Sequence, residues 1–272
     1  MPEIPDLEAI SSYLNERLPG ETIERAESLI PVVFRVPRDE FVSTLEGSKL
    51  GETTRRGKFL IFSLERNGGG HLLVINAMLA GRFQYVEPSV KRRASTCMVL
   101  GLSNGSELRY HDDRRMGKIY LISEDRLQDV PQFADMGPDA LEVSLEEFQD
   151  RIGKYRGQIK NILVNHKFLA GIGNAYSDEI LFAARLHPYR RRTTMDDEDI
   201  ERLHASISKV FDWATPIVAG LMQEDLNYKE RRDFLKIHRK GGEPCPVCGT
   251  RITEITAGQR ITNFCRNCQP ES

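Results

Sequence analysis

The chain has 272 residues, of which 40% are hydrophobic and 29% charged, a composition that can bury two domain cores and excludes an intrinsically disordered chain. Lys and Arg total 38 against 40 Asp and Glu, and the formal charge of −2 argues, as an average, against a nucleic-acid partner. No window approaches the roughly 18 uninterrupted apolar residues of a membrane span, and the start around Glu3 and Asp6 is acidic, with no apolar signal region, so a cytoplasmic protein without membrane contact is expected.

Leu7, Ile10, Tyr13, Leu14 and Leu18 recur at helical spacing until Pro19-Gly20 ends the pattern, which predicts a first helix. Short β-type runs follow at 59–62, 72–75 and 118–121, with turn signals at 66–70 and at Ser103-Asn104-Gly105. Strands without intervening helices predict an antiparallel β-sandwich, here given the bounds 1–128. Pro131, Gly137 and Pro138 mark a linker at 129–140, beyond which 141–228 has helical periodicity. Start signals there are Ser144 with Glu147 three residues on, a capping-box spacing, and Thr194 before an acidic turn. The last segment, 229–272, carries a basic run, Gly241-Gly242 and a predicted hairpin over 251–264.

That segment holds four of the five cysteines. Cys245-x2-Cys248 and Cys265-x2-Cys268 have the spacing of a zinc ribbon, in which each pair turns two thiolates to one ion and leaves no ligand position open for catalysis. One structural zinc is expected there, in place of a core that so short a module cannot build. Cys97 reads as a small packed residue. Arg260, just beyond the hairpin turn, is placed to meet a phosphate.

Gly171 and Gly173 precede an apolar helix that begins near Asn174 and ends at His187-Pro188. Such a helix start can offer N–H groups to an anion, although Gly-x-Gly also fits an ordinary helix–helix turn. Lys160, in Arg156-Gly157-Gln158-Ile159-Lys160, favours a phosphate. At the N-terminus, removal of Met1 would leave Pro2 as a secondary amine able to act as a nucleophile, with Glu3 beside it to move a proton. Lys58 follows Arg55-Arg56-Gly57 at the entry to an apolar run, and Arg114-Arg115 lies in a second charged turn. Taken singly, each of these residues also reads as surface charge.

Together, Pro2-Glu3, Arg56-Gly57-Lys58, the 171–179 run with His187-Pro188, and the cysteine hairpin with Gln259-Arg260 resemble the formamidopyrimidine-DNA glycosylase/endonuclease VIII family of base-excision-repair enzymes. The resemblance spans nearly the whole chain. It implies an α+β multidomain fold: an N-terminal helix with an antiparallel β-sandwich, a helix-two-turn-helix domain, and a zinc β-hairpin. It further implies a bifunctional glycosylase and abasic-site lyase in which the Pro2 nitrogen attacks C1′ and forms a Schiff base, with Glu3 assisting proton transfer. Lys58 would support the nucleotide during β-elimination, and Arg260 would grip flanking phosphates and assist δ-elimination. Asn174 and Lys160 would hold the DNA backbone, while Leu79, Arg114 and Met116 stand where the family places residues that fill the vacated base stack.

The chain departs from that pattern in several places. Met116 replaces an aromatic wedge, Asp6 a glutamate, and Asn76 and Ser95 stand at positions where histidines are common. Only residues 227–244 separate the helical segment from the zinc module, which leaves little room for a base-capping loop and weakens an 8-oxoguanine assignment. A non-catalytic DNA-damage binder of the same fold is the alternative, and a zinc-ribbon protein-interaction module a third reading. The expected partner is damaged double-stranded DNA, bound by a monomer with no small-molecule cofactor and associated with the nucleoid if the source is bacterial. Net charge is then the wrong average: residues 229–272 hold nine Lys or Arg against five Asp or Glu, and local basic patches can bind DNA in a salt-sensitive way.

Overall fold

The computed structural model describes residues 2–66, 69–227, 230, 232–257 and 260–271. Met1, the centre of the 66–70 turn, Lys229 in the basic run, and Gly258-Gln259 at the hairpin tip lie outside the described residues. The chain divides into two compact units, one of Met1–Ala134 with Thr215–Glu230, the other of Asp135–Ala214 with Arg231–Ser272.

In the first unit the predicted helix is α1 (Ile4–Asn15), and its apolar face, Ile4, Leu7, Ile10 and Leu14, is buried. Two four-stranded antiparallel sheets follow, with a short α2 (Arg38–Leu45) between their first strands. The first sheet orders β1 (Ile23–Ser28), β6 (Thr96–Leu102), β7 (Glu107–Asp112) and β5 (Gly81–Val86); the second orders β2 (Lys49–Arg56), β3 (Phe59–Arg66), β4 (Gly69–Asn76) and β8 (Lys118–Ser123). Phe62 of one sheet meets Phe83 of the other at 6.0 Å between ring centroids, and Phe83 meets Tyr110 at 5.3 Å. This is the expected sandwich, with aromatic side chains joining its inner faces.

The opposite face of the first sheet is polar yet buried. Because directly paired residues share a face, Arg82 and His111, Gln84 and Arg109, and Val86 and Glu107 form one side. Arg109 is fully buried, donating through Nε to Glu107 at 2.6 Å and through Nη1 to the Val90 carbonyl at 2.9 Å. Glu107 also accepts from Arg92 and Arg25; burial pushes its pKa up, but the Arg109 and Arg92 bonds outweigh that and hold it below the ordinary carboxylate value. At the other end of this face, His111 Nε2 lies 2.6 Å from Asn227 Oδ1, and Arg82 pairs with Glu230 at 2.9 Å.

The second unit contains α3 (Leu145–Gly153), α4 (Ile159–Leu163), α5 (Asn174–Ala183) and the first part of α6 (Asp197–Glu224), followed by the hairpin β9 (Thr253–Ala257) and β10 (Arg260–Phe264). Ser144 caps α3 as its spacing predicts, accepting the Glu147 amide at 3.2 Å. At α6 the cap is Asp196, which accepts the Asp199 amide at 2.8 Å, whereas Thr194 lies in a preceding 3-10 turn. The two compact units part within α6, between Ala214 and Thr215, two residues before the internal Pro216. The zinc segment clusters with the helical unit rather than apart from it.

Burial lowers the pKa of His111, its bond to Asn227 opposing that more weakly. A depressed folded-state pKa means that the unfolded chain takes up the proton first, so the stability from neutral His111 is complete above 6.5 and is lost as pH falls below it. His187 is shifted the same way by burial. Unfolding free energies measured between about pH 7.5 and about pH 5.5 should fall on acidification, and His111→Gln should flatten the slope without abolishing it.

Candidate active site and metal centre

In the first unit α1 runs antiparallel to β2. Ser11 Oγ and Asn15 Nδ2 donate to the Thr53 carbonyl at 2.6 and 2.8 Å, and the Thr53 amide donates to Asn15 Oδ1 at 2.7 Å. Nearer the helix start, Arg55 Nε donates to Glu8 at 2.6 Å. Following the helix backward and the strand forward from these bonds directs Pro2 and Glu3 toward the β2–β3 turn, Gly57-Lys58. Gly57 has φ of 57°, while Lys58 has no positive φ, the sign pattern of a type II′ hairpin turn. Arg55 Nη1 secures that turn by donating to the Gly57 carbonyl at 3.2 Å. Pro2 and Glu3 are buried and Lys58 is half-buried. The Glu3 amide donates to Asp6 at 2.8 Å in a capping box, a task the shorter acid performs in place of the family's usual glutamate.

Strand register gathers the expected stack-filling residues at this end of the sandwich. Phe59 pairs with Asn76 and Asn76 with Lys118, while Gly81 pairs with Asp112 in the other sheet. The connections 77–80 and 113–117 therefore leave from the end that carries the Gly57-Lys58 turn. Leu79 is 40% and Met116 41% exposed, and Arg114 is exposed. Asn76 Oδ1 accepts the Met78 amide at 3.0 Å, fixing the first connection. A Cβ on Gly81 would lie 2.1 Å from the Tyr110 hydroxyl, and one on Gly117 2.0 Å from it, so both connections close against one buried ring. Ser95, at a position where a DNA-contacting histidine is common, instead hydrogen-bonds Asp113 and lowers its pKa.

The second unit corrects the reading of Lys160. Its ammonium is buried, donating to Asp178 Oδ1 at 2.5 Å, Thr262 Oγ1 at 2.9 Å and the Ile261 carbonyl at 3.1 Å. The charge thus ties α4 to α5 and to β10 instead of facing solvent, because a buried carboxylate needs a partner more than an exposed phosphate does. Asp178 Oδ2 also lies 2.7 Å from His238 Nδ1 and accepts the Asn263 amide at 3.2 Å. The adjacent Glu179 accepts the amides of Lys236, Ile237 and His238 at 3.1, 2.9 and 2.9 Å. Asn174 starts α5 and donates to the Ile261 carbonyl at 2.8 Å, leaving its buried Oδ1 without a partner among the described residues. Arg260 opens β10 and is exposed. Asp178, Glu179 and Asp112 escaped the sequence reading, since acidic residues at helix starts and turns ordinarily read as solvated caps.

The four cysteines fit a metal. Their sulfur atoms all lie within 4.8 Å of one another, Cys245 to Cys268 at 3.8 Å and Cys248 to Cys265 at 3.5 Å. Four Zn–S bonds of about 2.3 Å in a tetrahedron place sulfurs roughly 3.8 Å apart. Hydrogen bonds from the Thr250 side chain and then its amide pull the exposed Cys248 thiol down to about 5, whereas burial raises Cys265 and Cys268. Phe182, Ile237 and Ile252 pack with Cys245 and Cys265, so the site and α5 share one small core.

Family models match in three consecutive stretches. One described as "Formamidopyrimidine-DNA glycosylase N-terminal domain" matches residues 1–119, "Formamidopyrimidine-DNA glycosylase H2TH domain" matches 136–223, and "Zinc finger found in FPG and IleRS" matches 242–270. A formamidopyrimidine-DNA glycosylase of Symbiobacterium thermophilum is 34% identical over 277 residues, covering 99% of this chain and 90% of that protein. One of Heliobacterium modesticaldum is 33% identical, covering 99% and 100%. Among solved structures, wild-type Lactococcus lactis Fpg (MutM) in complex with a DNA containing N7-benzyl-Fapy-dG superposes with a TM-score of 0.90 at 26% identity, covering 99% of this chain and 100% of that one. Lactococcus lactis Fpg with a DNA containing an abasic site gives 0.88 at 26% identity, with the same coverage.

The matched zinc-finger stretch and the sulfur geometry assign one structural zinc to Cys245, Cys248, Cys265 and Cys268. Chelation, or Cys245→Ser, should lower amide-exchange protection across β9 and β10 by at least about tenfold while the β-sandwich keeps its protection. Hydrogen-exchange mass spectrometry reads both units in one sample.

Proposed function

Because the chain belongs to the formamidopyrimidine-DNA glycosylase family, we propose that it is a bifunctional DNA glycosylase and abasic-site lyase of base-excision repair. The antiparallel run of α1 and β2, which directs Pro2 and Glu3 toward the end of the first unit that bears Lys58, supports this reading, since a nucleophile, a proton carrier and a cation are what the chemistry needs there.

With Met1 removed, the Pro2 nitrogen is a secondary amine that donates its lone pair to C1′ of the damaged nucleotide as the bond from C1′ to the base breaks. The base leaves with the electrons of the broken bond and takes a proton, and Glu3, held in the capping box, moves protons at this step. Loss of the ring oxygen from C1′ gives an iminium ion, whose electron demand acidifies the C2′ proton. Its removal expels the 3′ phosphate in β-elimination, with Lys58 stabilising the phosphate side. Arg260, on the zinc-held hairpin, grips phosphates flanking the lesion and assists δ-elimination, and Asn174 holds the backbone at the start of α5. Lys160 has a different task, holding the hairpin that displays Arg260.

Extruding a nucleotide costs a few kcal/mol, and Leu79, Arg114 and Met116 fill the space it vacates. A methionine can enter a base step as an aromatic ring does. The short 227–244 segment supports ring-opened purines or oxidised pyrimidines as substrates in preference to 8-oxoguanine.

Protein shown by mass to lack Met1, mixed with abasic-site duplex and borohydride, should form a covalent adduct. Pro2→Gly should abolish this secondary-amine adduct or leave only a weak one through its primary amine, and Glu3→Gln should slow base release by about 10²–10⁴-fold. Tight lesion binding by the same protein with no adduct would overturn the reading. Across a lesion panel, faster release of 8-oxoguanine than of ring-opened purines or oxidised pyrimidines would reject the proposed preference.

A further inference from the structure

The connection between β7 and β8 has an unusual anchor. Four successive backbone amides turn to one residue: Arg114 N–H donates to Asp112 Oδ1 at 2.9 Å, Arg115 N–H to the Asp112 carbonyl at 3.1 Å, and Met116 and Gly117 N–H to Asp112 Oδ2 at 2.8 and 2.6 Å. Asp112 is fully buried and is itself held through its own amide, which donates to the Ser95 carbonyl at 2.9 Å. Arg115 has φ of 54°, a left-handed conformation that few side chains adopt unaided and that turns the chain back over the carboxylate. A Cβ on Gly117 would come within 3.1 Å of Asp112 Oδ2, so the loop also closes tightly on it.

A five-residue connection between strands of two sheets needs no buried charge to form, and Arg114 and Met116 project into solvent instead of packing. What the carboxylate provides is a rigid base for two exposed side chains at the end of the sandwich that also bears Leu79. An aspartate suits this because its two oxygens can accept three amides while ionised, and charge-assisted bonds of this kind are the stronger ones. Asparagine has the same shape but only one accepting oxygen.

We propose that Asp112 is a positioning residue that holds Arg114 and Met116 ready to enter the base stack as the damaged nucleotide leaves; this rests on the glycosylase reading given above. Its contribution is confined to double-stranded substrates. In a single strand there is no opposite base and no stack to fill, so the chemistry at Pro2 does not need the wedge.

The ratio of abasic-site cleavage rates on duplex and on single-stranded DNA tests this, because the ratio cancels any loss of folded protein. Asp112→Asn should lower it by about tenfold and Asp112→Ala by more, as misplacement of a positioned group does, with single-strand cleavage per folded molecule unchanged. A chemistry-free readout is the fluorescence of 2-aminopurine placed opposite a tetrahydrofuran abasic analogue, which wild-type protein at saturation should brighten and Asp112→Asn should not. Wild-type-like ratio and fluorescence in both variants would overturn the proposal. Wild-type protein that brightens 2-aminopurine but cleaves neither DNA would overturn the lyase reading instead, with the fluorescence of the variants still deciding the role of Asp112.

Discussion

Most of the candidate site residues sit on turns, strand ends and helix starts, where backbone amides lack a ladder partner, and buried carboxylates supply the missing acceptors. Asp112 gathers the amides of the 114–117 loop. Glu179 gathers those of 236–238, and Asp178 that of Asn263. Asp6 takes the amide of Glu3. An unpaired buried N–H costs about 1–3 kcal/mol, so each carboxylate converts an expensive irregular segment into a fixed one. The reverse also holds: a buried carboxylate is tolerable only where such donors or a cation surround it.

This constraint explains how each unit holds its own candidate residues. In the first, the sandwich brings three connections to one end by register alone, and polar anchors then set their shapes: Arg55 for the Gly57-Lys58 turn, Asn76 for the connection bearing Leu79, Asp112 for the one bearing Arg114 and Met116. In the second, the zinc fixes the ends of a hairpin too small to fold by burial, while Lys160, Asn174 and Asp178 hold β10 along its length. Arg260 is exposed, yet the strand it opens is held from both directions.

Much of this was legible in advance where local chemistry has a period or a spacing. Leu7, Ile10 and Leu14 marked the first helix, Ser144 its cap-bearing counterpart at α3, and the two Cys-x2-Cys pairs the metal. The misreadings share a cause. The sequence around Lys160 suggests a phosphate ligand because its partners, Asp178 and Thr262, lie 18 and 102 positions away. Thr194 was read as a helix start although Asp196 makes the bond.

Residue type and spacing were enough to show which chemical groups are on offer: a proline behind the initiator methionine with a carboxylate next to it, a lysine after a glycine turn, four cysteines at metal spacing, and several arginines. Those are properties of residue type and near-neighbour spacing. Only the tertiary structure decided which charges act outward and which are consumed within. Lys160 and Arg109 are buried in ion pairs, while Arg114 and Arg260 remain exposed. The physical reason is that the energy of a charge is set by what surrounds it in space, and for these residues the deciding neighbours come from strands and helices distant in the chain.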